Sequence, residues 1–553
     1  MLQNLKTYFF WAYWYVTIKR KGFMAIIILF CAVVILSCII TNKFSSKLGL
    51  PVLVFFMFLG MLFGCDGILK ISFSDYDLTS KLCSIGLIFI IFYGGFCTKK
   101  PESKKIATQA TLLSSLGTIL TAGFSALFCY YGLKMPFGES FLIGAIISST
   151  DAASVFSILR SKRLNLKYGT APILEMESGS NDPFAYMLTM LGIVLIKGGS
   201  VFSLTPMLFK QLTFGIFFGI IIALGAVWIF RKTRILTEGT DTIFMVAIAL
   251  FAFSIPELIG GNGYLSVYLA GIIIGNSKIK NKINLIYFFD GITALCQVTI
   301  FFLIGFLSFP HKIPEILIPS ILITLFLSII ARPLAVSLIM LPFKANFNQI
   351  YFMSWAGLRG AASIVFALLV VAQVDSLKYD LFHIVFVVSL LSVAIQGSLL
   401  PLIAKKHSMI DKFADVRKTF NDYQQESAIA LNKFTVSENH LWCNTMVKDI
   451  NLEKGALILF VKRNNKKIIP KGDTIILCND EIVVGSTVTD VKNEVKLYET
   501  NIDSNHEWRN KKIKDISYSE NFLITLIKRK NESFVPNGNT EIKLGDTIIF
   551  YEI

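Results

Sequence analysis

The chain has 553 residues, of which 54% are hydrophobic and only 16% charged, with a mean hydropathy of +0.63. Soluble proteins carry roughly 25% charged residues, so this composition excludes a soluble globular enzyme. The formal net charge of +16 does not signal nucleic acid: residues 407–553 hold 21 basic and 21 acidic side chains, and the excess lies in residues 1–406, with 32 against 16, where loop charge that sets membrane orientation belongs.

Residues 1–22 carry an aromatic cluster from Tyr8 to Tyr15, then Lys19, Arg20 and Lys21. Lacking a signal-peptide cleavage pattern, they read as an interfacial segment or an extension ahead of Met24. From 23 to 406, apolar runs predict about thirteen spans, near 24–42, 49–65, 82–98, 108–132, 138–159, 170–196, 208–230, 242–259, 262–277, 286–309, 313–342, 347–373 and 381–404. Alternate loops are basic, from Lys43 and Lys47 through Arg160, Lys162 and Arg163 to Lys405 and Lys406. The positive-inside rule then puts the N-terminus outside and the tail in the cytoplasm of a cell (inner or plasma) membrane, with Lys19 to Lys21 as the one conflict. The nine cysteines include no CxxC pair, so no disulfide or zinc framework is expected.

A carboxylate near the bilayer centre costs a few kcal/mol at least, so such residues are functional candidates. Asp151, Glu175, Glu177 and Asp182 fall within spans, and Asp290 near the end of one. Asp151 follows Ser148, Ser149 and Thr150, hydroxyl residues that compete for helix hydrogen bonds and predict a helix break. In Glu177-Ser178-Gly179-Ser180-Asn181-Asp182-Pro183, Ser178 and Asp182 share one helix face, and Glu177 and Asn181 another. Such oxygens suit a hard monovalent cation. Arg359, in Trp355-Ala356-Gly357-Leu358-Arg359-Gly360-Ala361, reads as the basic residue deep in a late span and needs a buried partner. Glu177 is the first choice and Glu175 the alternative. The small residues around Arg359 predict a second broken helix, and paired breaks point to a transporter's midplane site.

At Thr150-Asp151, Glu177-Ser178, Asn181-Asp182, the stretch Gly260 to Asn276 (GGNGYLSVYLAGIIIGN) and Gly357 to Ala361 (GLRGA), the chain resembles the cation:proton antiporter family, specifically the NhaP-type Na+(K+)/H+ exchangers, over about residues 24–405. The resemblance implies an all-α polytopic domain of thirteen helices with inverted repeats and broken helices, a homodimer in the lipid, and alternating access by an elevator-like movement. It implies that Asp182 carries cation and proton in turn, assisted by Asp151, Ser178 and the Thr150 carbonyl, with Glu177 paired to Arg359. Asn181 before Asp182 goes in the family with electroneutral exchange. The chain departs from many relatives in having Tyr93, not an acidic residue, before Gly94-Gly95. His311, His383 and His407, near span ends, read as ordinary interfacial residues rather than pH sensors.

After a linker at 407–430, the chain repeats itself at an offset of 66 residues, predicting two small α+β domains at 431–499 and 500–553. Asn439, His440 and Trp442 match Asn505, His506 and Trp508; Lys462-Arg463 matches Lys528-Arg529; Asp480 matches Asp546. Strands are predicted at Ala456 to Val461, Thr474 to Leu477 and Ile482 to Val484, and at Phe522 to Ile527 and Asp546 to Tyr551. The pattern is similar to the RCK C-terminal (TrkA-C) ligand-binding domain. No GxGxxG follows a strand in the tail, so NAD is not expected. The two copies are expected to pair around a cleft for a small regulator, cyclic di-AMP being the candidate the resemblance offers. The alternative is a ligand-free solubilising tail.

These readings converge on a secondary-active K+(Na+)/H+ antiporter with regulatory tail domains, not an enzyme. A ligand-gated K+ channel is the alternative, weakened by the absence of a TVGYG-like filter; a cation-coupled symporter is the third reading.

Overall fold

A computed structural model describes residues 31–40, 51–232, 239–410 and 429–552, less short stretches within them such as 99–102, 453–455, 488–496 and 516–521; residues 1–22 and most of the linker lie outside the described residues. The chain divides into two units, Met1–Gln424 and Gln425–Ile553.

The first unit is helical: α1 Cys31–Ile40, α2 Val52–Phe63, α3 Tyr76–Cys97, α4 Lys104–Gly132, α5 Phe137–Ile147, α6 Ala152–Ser161, α7 Thr170–Ile196, α8 Val201–Lys232, α9 Thr240–Leu258, α10 Gly263–Gly275, α11 Lys282–Leu307, α12 Pro310–Phe343, α13 Phe347–Trp355, α14 Ala361–Gln373 and α15 Leu381–Lys406. Among the described residues seven are long and apolar enough to cross a membrane: α3, α4, the Leu204–Lys232 part of α8, α9, α11, α12 and α15. Helix α7 has 27 residues but carries Glu175, Glu177 and Asp182, and α1, α2, α5, α10 and α14 are apolar but shorter. Large apolar side chains such as Phe217, Leu224 and Trp228 of α8 and Ile243 and Phe251 of α9 are exposed, as lipid-facing surfaces require.

Packing sorts the helices into two groups. Helices α2, α3, α8, α9, α10 and α11 pack chiefly on one another, and so do α4, α5, α7 and α12 to α15. The first group is close-packed at glycines. A Cβ on Gly95 would lie 2.5 Å from the Tyr268 carbonyl oxygen, and one on Gly271 2.5 Å from that of Phe92, so α3 and α10 touch backbone to backbone, as membrane helices do at small residues. Helices α7 and α14 of the second group press against α10 and α3 of the first.

The second unit holds two four-stranded antiparallel sheets of the same topology. One orders β1 Ile429–Thr435, β4 Glu481–Thr487, β2 Ala456–Arg463 and β3 Lys466–Ile468; the other orders β5 Leu497–Asn501, β8 Thr547–Glu552, β6 Phe522–Arg529 and β7 Glu532–Phe534. The offset of 66 residues carries each strand onto its counterpart. Strand β5 crosses the boundary expected between 499 and 500, and Thr474 to Leu477 forms no strand: Ile475 makes an isolated bridge to Met446, because the segment it pairs with runs into the 3-10 turn Val447–Asp449. The repeated Lys-Arg and Asp positions form the fold's internal ion pairs. Arg463 donates Nε and Nη2 to Asp480 at 2.9 and 2.7 Å, and Arg529 donates to Asp546 at 2.7 and 2.6 Å. One expectation is overturned here: Cys443 and Cys478 form a disulfide, because antiparallel bonds between Asn444, Thr445 and Ile476 bring together two cysteines that are 35 residues apart in sequence.

Candidate functional site: crossed helix breaks around Asp182

Both predicted breaks are present. Helix α5 stops at Ser148, whose hydroxyl donates to the Ala145 carbonyl at 2.6 Å; Ser149 and Thr150 leave the helix, and α6 starts after Asp151. The Asp151 carboxylate caps α6, with Oδ1 accepting the Ser154 N–H at 3.2 Å and Oδ2 the Ser154 hydroxyl at 2.5 Å. Helices α13 and α14 are separated by Ala356 to Gly360, and the two breaks cross. The Asp151 N–H donates to the Leu358 carbonyl at 2.8 Å, while Arg359 Nη1 donates to the carbonyls of Ser148 and Ser149 at 2.9 and 2.8 Å. A guanidinium thus covers the carbonyl-rich end of α5, and a carboxylate covers the amide-rich end of α6, each against the matching helix dipole.

Helix α7 lies across this junction. The Ser178 hydroxyl donates to the Thr150 carbonyl at 2.7 Å, Asn181 Nδ2 to Thr150 Oγ1 at 2.5 Å, and the Ser149 hydroxyl to Asp182 Oδ1 at 2.5 Å. Thr150, Asp151, Ser178 and Asp182 line one cavity of about 80 Å3, with Glu175, Gln297 of α11 and Gly360 also in its wall. On α7 the lining residues Glu175, Ser178, Gly179 and Asp182 fall at i, i+3, i+4 and i+7, one helix face. That volume holds a few waters or a partly hydrated cation.

The expected Glu177–Arg359 pair is not the one formed. Arg332 of α12 donates Nη2 to Glu177 Oε1, both groups buried, while Arg359 is committed to the carbonyls of α5. Arg332 lies near the middle of the run 313–342, yet in the sequence Arg359 alone reads as the deep basic residue; its place in a continuous apolar stretch, IIARPLAV, is the signal that could have found it. Glu175 faces the cavity.

Several contacts of residues noted in the sequence appear only in the structure. Ser149 holds Asp182, and Gly360 leaves room for Asp151. Tyr93 donates to Asp290 Oδ1 of α11 at 3.0 Å, so a carboxylate reaches the place where the chain itself has a phenol. The buried His383 accepts the Phe309 N–H on Nε2 at 2.9 Å and meets Asp380 through Nδ1 at 2.7 Å, so it sits inside the helix packing and not at the interface that the sequence suggested. His311 meets Asp66 at 2.6 Å, and His407 stacks on Tyr351.

Residues 32–406 match the family described as "Sodium/hydrogen exchanger, transmembrane", and residues 433–492 and 497–551 each match the TrkA-C domain. The chain is 31% identical over 457 residues to the K(+)/H(+) antiporter NhaP2 of Shewanella sp. (strain ANA-3), covering 81% of this chain and 78% of that one. It is 29% identical over 470 residues to the K(+)/H(+) antiporter NhaP of Alkalimonas amylolytica, covering 84% and 82%. The solved structure of the sodium proton antiporter MjNhaP1 from Methanocaldococcus jannaschii at pH 8 shares the fold, with a TM-score of 0.60 at 22% identity over 68% of this chain and 97% of that one. The chain therefore belongs to the sodium/hydrogen exchanger family: it is a multi-pass cation:proton antiporter carrying two TrkA-C domains, not an enzyme.

Proposed function

We propose that the chain exchanges one K+ for one H+ at Asp182 by alternating access, with Na+ as the second candidate ion. The observation that carries this reading is the setting of Asp182, a carboxylate on the wall of a small cavity beside two crossed helix breaks. Asp151 accepts both the N–H and the hydroxyl of Ser154 at the start of α6, whereas Asp182 accepts the Ser149 hydroxyl on one oxygen, which supports Asp182 as the group that exchanges one proton for one cation. Ser178 and the Thr150 carbonyl supply neutral oxygens, and Asn181 stands where a second carboxylate would add a charge. The relatives named K(+)/H(+) antiporters extend into the tail, which favours K+. The protein works as a homodimer in the cell membrane with its N-terminus outside and its tail in the cytoplasm. The transport domain spans 23–406, and the tail domains bind a small regulator, with cyclic di-AMP the candidate.

Dequenching of a pH-sensitive dye in everted vesicles tests this. Addition of K+ should release the proton gradient in vesicles holding the intact chain and not in those holding Asp182→Asn. Equal responses would remove Asp182 as the carrier, and K+ flux without proton movement would favour the channel reading.

A further inference from the structure

Helix α7 is tied to the first helix group at a second place, away from the cavity. One turn past Asp182, the Tyr186 hydroxyl donates to Glu257 Oε1 at 2.6 Å, and Glu257 Oε2 accepts the Gly263 N–H at 3.2 Å. Beside this pair Asn262, fully buried, donates Nδ2 at 2.9 Å to the carbonyl of Pro183, the residue after Asp182. Aromatic rings fill the space around them. Tyr186 meets Tyr264 edge-on at 5.0 Å, and Phe366 lies 5.8 and 6.0 Å from the two rings.

The cavity reaches Asp182 from the opposite direction. Its α7 residues all lie at or before Asp182, and its α14 residues, Ala361 and Ala362, precede Phe366. Asp182 is therefore open on one side and roofed on the other. The roof joins the two helix groups, since Tyr186 and Phe366 belong to α7 and α14, and Glu257 and Tyr264 to α9 and α10.

We propose that Tyr186 and Glu257 are positioning residues: their hydrogen bond latches the cavity-open state and breaks when Asp182 turns to the roofed face. This rests on alternating access at Asp182. A hydrogen bond made in one of two states biases their equilibrium by its own worth, about tenfold at the strong end of the ordinary range. On this proposal the latch keeps the roof-open state minor, so weakening it raises that state's population in proportion, and apparent affinity at the roofed face rises with it.

The test uses the full chain in vesicles of both orientations, with K+ as the ion. A Gly94→Cys variant first identifies the cavity face by its reaction with a membrane-impermeant maleimide, since a Cβ there meets open space beside the cavity. Tyr186→Phe should then lower the KM for K+ at the roofed face about tenfold and leave it within twofold at the cavity face. Glu257→Gln, which weakens the same bond, should do likewise, and the double variant should add nothing further. A fold defect would instead lower transport from both faces. KM values that change equally on both faces, or on neither, in the two variants would overturn the latch. Asp182→Asn measured in parallel reads the carrier separately: full exchange in that variant would sink the underlying reading while leaving the two-face comparison intact.

Discussion

The Asp151 amide donates to the Leu358 carbonyl at 2.8 Å, so two helices from distant parts of the chain are bonded to each other where each is interrupted. An isolated break would leave several backbone groups without partners inside a membrane, at several kcal/mol each. Crossing the breaks lets each supply the other, and Arg359 completes the arrangement.

Gly360 is where this crossing is tightest. A Cβ at that position would lie 2.3 Å from Asp151 Oδ2, so Gly360→Ala must displace the carboxylate that starts α6. Cation-dependent dye dequenching should fall at least tenfold, while the variant still reaches the membrane at near-parental levels.

The Glu177–Arg332 pair gives a stability prediction with a built-in control. Removing one member of a buried pair costs about 3–5 kcal/mol, whereas replacing both by apolar groups of similar size is near neutral. Arg332→Met should lower the unfolding temperature in detergent markedly, and Glu177→Leu/Arg332→Met should recover much of the loss. A double variant no better than the single would mean that the pair is not the relevant partnership.

In the tail, Asp480 and Asp546 respond to acid. Partial burial pushes each carboxyl up, but the hydrogen bonds from Arg463 or Arg529 and from the Leu477 or Lys543 N–H outweigh it, and both sit below the ordinary carboxylate range. A carboxylate held low in the folded state stabilises it above the unfolded value of about 3.9, and that contribution is lost as pH falls through the folded value. Hydrogen exchange of β2 and β4 should therefore accelerate below about pH 4, and Asp480→Asn should flatten that acid limb in the first domain while leaving β6 and β8 unchanged.

Reducing the Cys443–Cys478 bridge acts on one domain alone. With the cysteines 35 residues apart, loop-closure entropy assigns the cross-link about 3–4 kcal/mol. A thiol reductant should speed exchange around Leu441 to Asn444 and Ile476 to Asn479. The second domain has Arg509 and Leu544 at the matching positions and should not respond.

Asp151, Ser178 and Asp182 are legible in the sequence because carboxylates and hydroxyls inside apolar runs require a reason, and helical spacing puts Ser178 and Asp182 on one face. The repeat in the tail is legible because side chains recur at one offset. The partner of Glu177 is not legible: Arg332 and Arg359 are both arginines within reach of the same level of the bundle, and the choice depends on which one the carbonyls of Ser148 and Ser149 have already engaged. The Tyr186–Glu257 contact is hidden for a related reason, since Glu257 closes a span and reads as a loop carboxylate until packing turns it inward.

Among the residues lining the cavity with Asp182, five are small: Gly94, Gly179, Gly360, Ala361 and Ala362. Small side chains contribute no oxygen ligands, so on the proposed reading an ion in this cavity would meet Asp182, the few other oxygen-bearing side chains of the lining and water. Chamber size and ligand number are consequently adjustable one methyl or one hydroxyl at a time, as in Ala361→Ser, without touching Asp182. On the proposed reading, such a change in the wall would alter which cation is accepted while leaving the proton chemistry at Asp182 constant.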